Sequence, residues 1–192
     1  MTVPRGLLQF LAVSLLLLGS LFHLSPLQAQ DHSTEDIVRQ VKAAYLFKFG
    51  NYVLWPAQTF ASDQSPIVIG VVAEDRMADE LTRIAAGRTI SQRPVSIRRL
   101  QYGEPVSGVH ILFIGHETEQ SPSNLLTPLR GEPVLGVTEE DRGLMPGGII
   151  NFVLDNNRVR FDVSLAAAEQ NHLQLSAALL SVARKVEKSN VE

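Results

Sequence analysis

Four histidines follow residue 30, namely His32, His110, His116 and His172, and they are the first side chains to weigh for metal or acid–base chemistry. No two of them stand at the spacing that puts a zinc-binding pair on one helix face. His110 and His116 bracket one apolar run and would sit at its opposite ends, roughly 20 Å apart at strand rise, too far to share a metal. Glu117, Glu119, Glu139, Glu140 and Asp141 fall in stretches that read as loops, and no pattern brings a pair of them together for proton transfer. The chain has no cysteine, which excludes thiol catalysis, a disulfide switch, cysteine-ligated zinc and a lipoprotein anchor. Gly70-Val71-Val72-Ala73 lacks the glycines that let backbone approach a pyrophosphate, and neither a Walker loop nor a Gly-x-Ser-x-Gly elbow occurs. The expectation is a protein that is not an enzyme and holds no metal or cofactor.

What remains are candidates for contact. Tyr45 and Trp55 could stack on a ligand, although the plain reading packs them in the core. Asn151, Arg160 and Asp162 could form a polar surface for a ligand or a partner. The stretches Ala73-Glu74-Asp75 and Gly115-His116 would lie beyond the carboxyl ends of two strands, where open α/β sheets bind small molecules.

The elements that must position these residues begin after a leader. Arg5 precedes an uncharged run, Gly6 to Phe22, and Pro26-Leu27-Gln28-Ala29 ends it on a small residue. That is the layout of a secretory signal over residues 1–29, cleaved between Ala29 and Gln30. An uncleaved anchor is the competing reading, because a run of about 17 apolar residues lies near the lower limit for a span. Without the leader about 163 residues remain, enough for one domain with a real core. The formal charge of −3 becomes one unit more negative once Arg5 is removed, so there is no global attraction to nucleic acid or anionic lipid. The arginines from Arg83 to Arg99 read as a solvated face, and no nucleic-acid partner is expected.

A polar bridge over residues 30–35 is expected to be mobile, with Ser33 or Thr34 capping a helix. Ile37, Val41, Tyr45, Phe49 and Tyr52 recur at near-helical spacing, which predicts that helix from about Asp36 to Asn51, closed by Trp55-Pro56. Ile67 to Val72 and His110 to Ile114 are short apolar runs rich in β-branched residues, as in strands buried on both faces. Met77 to Ala86 reads as a helix, Val95 to Leu100 as an alternating apolar and basic segment, and Val134 to Val137 as another strand. Ile149 to Leu154 and Val159 to Val163 flank Asn156-Asn157, a hairpin signal. With that loop Ile150, Phe152 and Leu154 oppose Val163, Phe161 and Val159, while Asn151 pairs with Asp162 and Val153 with Arg160. From Ser164 onward, Leu165, Ala168, His172, Leu175, Leu179, Val182 and Val186 alternate in steps of three and four, which predicts a long final helix. The pattern would permit a homodimer seam, but Leu173, Ala177 and Leu180 widen it toward a helix lying across the sheet. The fold class is therefore a single three-layer α/β domain over residues 36–192. It has a mixed, mostly parallel sheet between helices, an antiparallel C-terminal hairpin and a long final helix.

The run from Val41 through Phe49 with Trp55-Pro56 resembles the opening helix of the YfiR/HmsC family of periplasmic proteins. Ile67 to Val71, His110 to Ile114, Gly147 to Phe152 with Val159 to Phe161, and the segment carrying Leu173, Leu175, Ser176, Leu179 and Leu180 come in the family's order. The resemblance implies an exported, periplasmic protein that regulates rather than catalyses. It would repress an inner-membrane diguanylate cyclase, or another membrane sensor protein, by contacting its periplasmic portion, and so lower cyclic di-GMP and biofilm formation. Phe161-Asp162-Val163-Ser164 departs from the family's usual Phe-Glu-Ile-Asn, and the missing cysteines exclude the redox control found in some relatives. Two other classes stay open: a periplasmic small-molecule binder or unrecognised hydrolase, and an accessory partner of an outer-membrane receptor. A small-molecule ligand could also tune the repressor.

Overall fold

Short apolar runs buried on both faces set the plan of the molecule. In the computed structural model, which describes residues 27–116 and 120–188 with side chains from residue 34 onward, the central strands are β2 (Ile67–Val72), β5 (Ile111–Ile114) and β6 (Leu135–Thr138). All of β5 and β6 is buried, because each strand is covered on both faces. Alternation then assigns side chains to layers. Ile111 and Phe113 join one core with Ile67, Ile69 and Val71, while Leu112 and Ile114 join a second core with Val72, Leu100 and Leu126.

Eight strands of the described residues form one sheet, in the order β10-β8-β7-β6-β5-β2-β4-β3. Here β3 is Thr89–Ile90, β4 is Arg93–Leu100, β7 is Ile150–Asp155, β8 is Arg158–Ser164 and β10 is Lys185–Glu187. Pairs from β4 through β2, β5 and β6 to β7 are parallel; the β7–β8 and β3–β4 pairs are antiparallel, and β10 returns parallel to β8. The β7–β8 register is the one expected from the sequence, with Asn151 opposite Asp162, Val153 opposite Arg160 and Asp155 opposite Arg158. Asn156 and Asn157 both take positive φ, 49° and 59°, as a two-residue turn matched to strand twist requires. Ser91 and Gln92 do the same for β3 and β4, a hairpin that the sequence did not announce because β3 has only two residues.

Residues 1–36 and 37–192 form separate units. Residues 1–26, which carry most of the expected leader, lie outside the described residues. Helix α1 runs Leu27–Phe49. The expected cleavage residues Ala29 and Gln30 and the stretch 30–35 therefore fall within this helix, which starts ahead of Ser33 and Thr34 rather than at a cap there. Within the larger unit, α1 lays Ala43, Leu46, Phe47 and Phe49 into the first core. Tyr45 and Phe49 mesh with the hairpin: Phe49 sits 5.0 Å from Phe161 edge-on, and Tyr45 sits 5.6 Å from Phe161. Such aromatic pairs add about 1 kcal/mol each beyond the area they bury. Helix α2 (Asp75–Ala85) covers β4 on the same face, and the short α3 (Ser123–Leu126) serves the second core.

The long final helix is not formed. The chain after β8 divides into α4 (Leu165–Gln170), β9 (Gln174–Leu175), α5 (Ala177–Val182) and β10. His172 takes φ 57°, outside helical geometry, and Asn171 is buried, where its amide donates to the Val134 carbonyl and its oxygen accepts from the Gly131 N–H. Ser164 caps α4 through the Ala167 N–H, and Ser176 caps α5 through the Leu179 N–H. The leucine periodicity is thus spent on a two-strand sheet in which Leu175 opposes Val53 of β1 (Val53–Leu54). This broken segment offers no continuous seam for a coiled-coil dimer.

Candidate functional site

The strand order reverses between β2 and β5, since β4 lies to one side of β2 and β5 to the other. Crevices in open α/β sheets lie outside the carboxyl ends of strands at such a reversal. There the chain leaves β2 through Ala73, held at φ 51°, leaves β5 through Gly115-His116 and leaves β6 through Glu139-Glu140. A Cβ at Gly115 would meet Glu74 Oε2, so any larger residue there requires the Glu74 side chain to move aside.

Glu139 organises this end. Its Oε1 accepts from the His116 N–H at 2.8 Å, and its Oε2 forms a largely buried ion pair with Lys42 of α1. Both oxygens are engaged, so Glu139 fastens helix α1 to two strand ends and is poorly placed to take a proton from a substrate. A cleft of about 380 Å³ opens beside the pair, walled by Lys42, His116, Glu140, Asp141, Leu154 and Arg184. Glu117 and Glu119 lie outside the described residues. Among the described residues no group of three or more potential ligands could hold a metal ion.

Asn151 is fully buried and has no polar group left over for a ligand. Its Oδ1 accepts from the Thr138 hydroxyl at 2.7 Å and the Glu140 N–H at 2.8 Å; its Nδ2 donates to the carbonyls of Glu140, at 3.0 Å, and Phe152, at 3.2 Å. The side chain therefore clamps the acidic loop that ends β6. Asp162, 3% exposed, accepts two hydrogen bonds from the Arg184 guanidinium at 2.8 and 2.6 Å, while the Arg184 backbone N–H donates to the Phe161 carbonyl. That forked pair draws β10 against β8 and brings Arg184 to the cleft wall. Arg160 is exposed on β8.

The two aromatic candidates separate. Tyr45 belongs to the core cluster with Phe49 and Phe161. Trp55 lies at the other end of the sheet, with Phe60 and His110 each 6.4 Å away and edge-on. His110 stacks flat on Phe60 at 4.7 Å, the Arg93 guanidinium lies 3.9 Å from the centre of the Phe60 ring, and His110 Nδ1 accepts the Val68 N–H at 3.0 Å. Accepting at Nδ1 fixes the neutral tautomer with its proton on Nε2. Burial, and secondarily the Arg93 charge, hold this imidazole below its ordinary range. Beside it lies a broad hollow of about 740 Å³ bounded by Thr59, His110, Leu129, Val134 and His172. The Thr59 hydroxyl is buried there with no hydrogen-bond partner among the described residues.

The structure therefore does not gather Tyr45, Trp55, Asn151, Arg160 and Asp162 into one site. Tyr45, Asn151 and Asp162 hold the framework, Trp55 belongs to a separate aromatic cluster, and Arg160 stands apart on the surface. The residues that form the cleft, Lys42 and Glu139 above all, are far apart in sequence and had no local signal. Among the described residues no helix is long and apolar enough to cross a membrane. The family model described as YfiR/HmsC-like matches residues 39–184, from the first helix to the arginine that closes the cleft.

Proposed function

The chain belongs to the YfiR/HmsC-like family, and from that membership we propose that it is an exported, periplasmic regulator of cyclic di-GMP signalling. In this reading it binds the periplasmic portion of an inner-membrane diguanylate cyclase and holds the enzyme inactive. An exported domain does this simply by binding the inactive conformation better than the active one. The family match carries the reading. The surface is compatible with it: Ile37 and Val41, one turn apart on α1, are 60% and 37% exposed, and Leu154 at the cleft wall is 58% exposed. Apolar side chains beside charged ones suit a protein contact better than chemistry. The residues argue against a hydrolase, because the cleft's central carboxylate is committed to Lys42 and a backbone N–H.

Deleting the gene is expected to raise cellular cyclic di-GMP, and returning the full chain is expected to lower it again. If deletion leaves cyclic di-GMP unchanged and no membrane cyclase co-purifies with the chain, the reading fails. The hollow beside His110 favours one addition, a small molecule that tunes the regulator.

A further inference from the structure

Strand β4 is eight residues long, yet its outer edge is paired only at Arg93 and Pro94, where β3 lies against it. Backbone groups along a strand point alternately to its two sides. The Leu100 carbonyl accepts from the Ala73 N–H, so Leu100, Arg98 and Ser96 address β2. Ile97 and Arg99 consequently turn their N–H and C=O groups outward, and no strand of the described residues meets them; the Val95 N–H faces the Arg88 carbonyl, since Thr89 bridges to Pro94 and a proline has no N–H to donate. The missing neighbour is the natural continuation of β3. The chain instead arrives at β3 from α2 through Gly87, φ 69°, and leaves the slot empty. A groove of about 410 Å³ runs there, walled by Thr82, Ala85, Ala86, Val95 and Ile97.

We propose that this edge receives an extended segment of a partner protein by strand addition. An open edge over residues 96–100, about 16 Å long at strand rise, recognises extended backbone before it recognises any side chain. The two faces then specify the occupant. Toward α2 the inserted side chains meet alanines, Val95 and Ile97, so they must be small and apolar. Toward the other face they meet Ser96 and Arg98. The Arg98 guanidinium donates to the carbonyls of Pro105 and Ser107 and pairs with no carboxylate among the described residues, so its charge is left for an acidic side chain. Arg99 does not contribute, because Asp75 and Asp79 already neutralise it. The occupant is therefore a strand that alternates small apolar with acidic residues.

The test uses the purified chain and a capped hexapeptide alternating valine and glutamate, with hydrogen exchange read amide by amide. Saturating peptide is expected to slow exchange at Ile97 and Arg99 by roughly tenfold or more while leaving Ser96 and Arg98 unchanged. The same peptide N-methylated along one edge should give no protection, and a lysine-for-glutamate version should bind roughly tenfold more weakly. Ile97→Pro removes an outward N–H without touching the ladder to β2 and should abolish binding, whereas Ile97→Ala keeps the N–H and should bind within about threefold of the parent. Equal binding of the N-methylated peptide, protection elsewhere on the fold, or no protection overturns the proposal, and this holds even if Ile97→Pro fails to fold. Protection of the same amides that grows with protein concentration in the absence of peptide would assign the edge to a second copy and likewise overturn it.

Discussion

Replacing Asn151 by alanine asks most directly whether this residue is a contact or a clamp. The substitution strands the Thr138 hydroxyl, which is fully buried, at a cost of about 2 kcal/mol. It also frees the Glu140 N–H and C=O, but Glu140 is only partly buried and water reaches it, so these contribute about 0.5 kcal/mol each. The sum is about 3 kcal/mol, a fall in melting temperature of roughly 6–12 °C for a domain of this size. Urea unfolding followed by circular dichroism measures it, and the midpoint should drop with the slope unchanged. Asn151→Asp sharpens the comparison. A carboxylate can still accept from Thr138 and from the Glu140 N–H, but it presents lone pairs to the two carbonyls that Nδ2 now serves. That variant should be destabilised at neutral pH and regain stability in acid, as the carboxyl protonates. Arg160→Ala, by contrast, should change stability by less than about 0.5 kcal/mol. A loss below about 1 kcal/mol for Asn151→Ala would refute the clamp and return the residue to the binding candidates.

The same geometry sets three further outcomes. Because folding lowers the His110 pKa, the unfolded chain binds the extra proton between about pH 6.5 and the folded value; stability should fall as pH drops through that window, by up to about 1.4 kcal/mol per unit. His110→Asn, which keeps an acceptor for Val68 but does not titrate, should flatten that part of a urea-midpoint profile. Arg184→Leu should lower the urea midpoint more than Asp162→Asn does, since the first strands a carboxylate that is 3% exposed. Its Val186 and Glu187 amides should exchange faster as β10 frays; equal midpoints would contradict the pairing. Phe161→Ala should cost about 3–5 kcal/mol by removing the ring that both Tyr45 and Phe49 meet edge-on, again read from the urea midpoint.

The central strands and the β7–β8 register were legible because short apolar runs and an Asn-Asn turn leave few alternatives. The final segment was not, and the reason is local. Steps of three and four describe a helix only if the backbone stays helical, and Asn171-His172 takes it elsewhere under two hydrogen bonds made by a buried amide. Ser176, a second serine able to cap, was the one available signal. The hydrogen bonds of Asn151 and Asp162 were illegible for a different reason. Their face of the hairpin looks half polar in isolation, but β6 covers one flank and β10 the other, so the polar groups are consumed inside the sheet. The Lys42–Glu139 pair joins residues on α1 and at the end of β6, and no local pattern announces such a partnership. The family resemblance survived these errors because it rests on the strands and the opening helix.

The small sheet of β1 and β9 has a consequence for how the molecule comes into being. Val53 pairs with Leu175, and the Ser176 N–H donates to the Tyr52 carbonyl, so the domain's opening is sewn to its close. Synthesis runs from the amino end, so this stitch cannot form until residues 174–176 have been made. Until then the apolar flank of the first helix and the borders of the central strands stand uncovered, in the slow, long-range kind of assembly that invites association with other chains. The protein should therefore depend on a holding chaperone during synthesis more than a helical bundle of equal length would, and removing residues 174–192 should trap it at that stage.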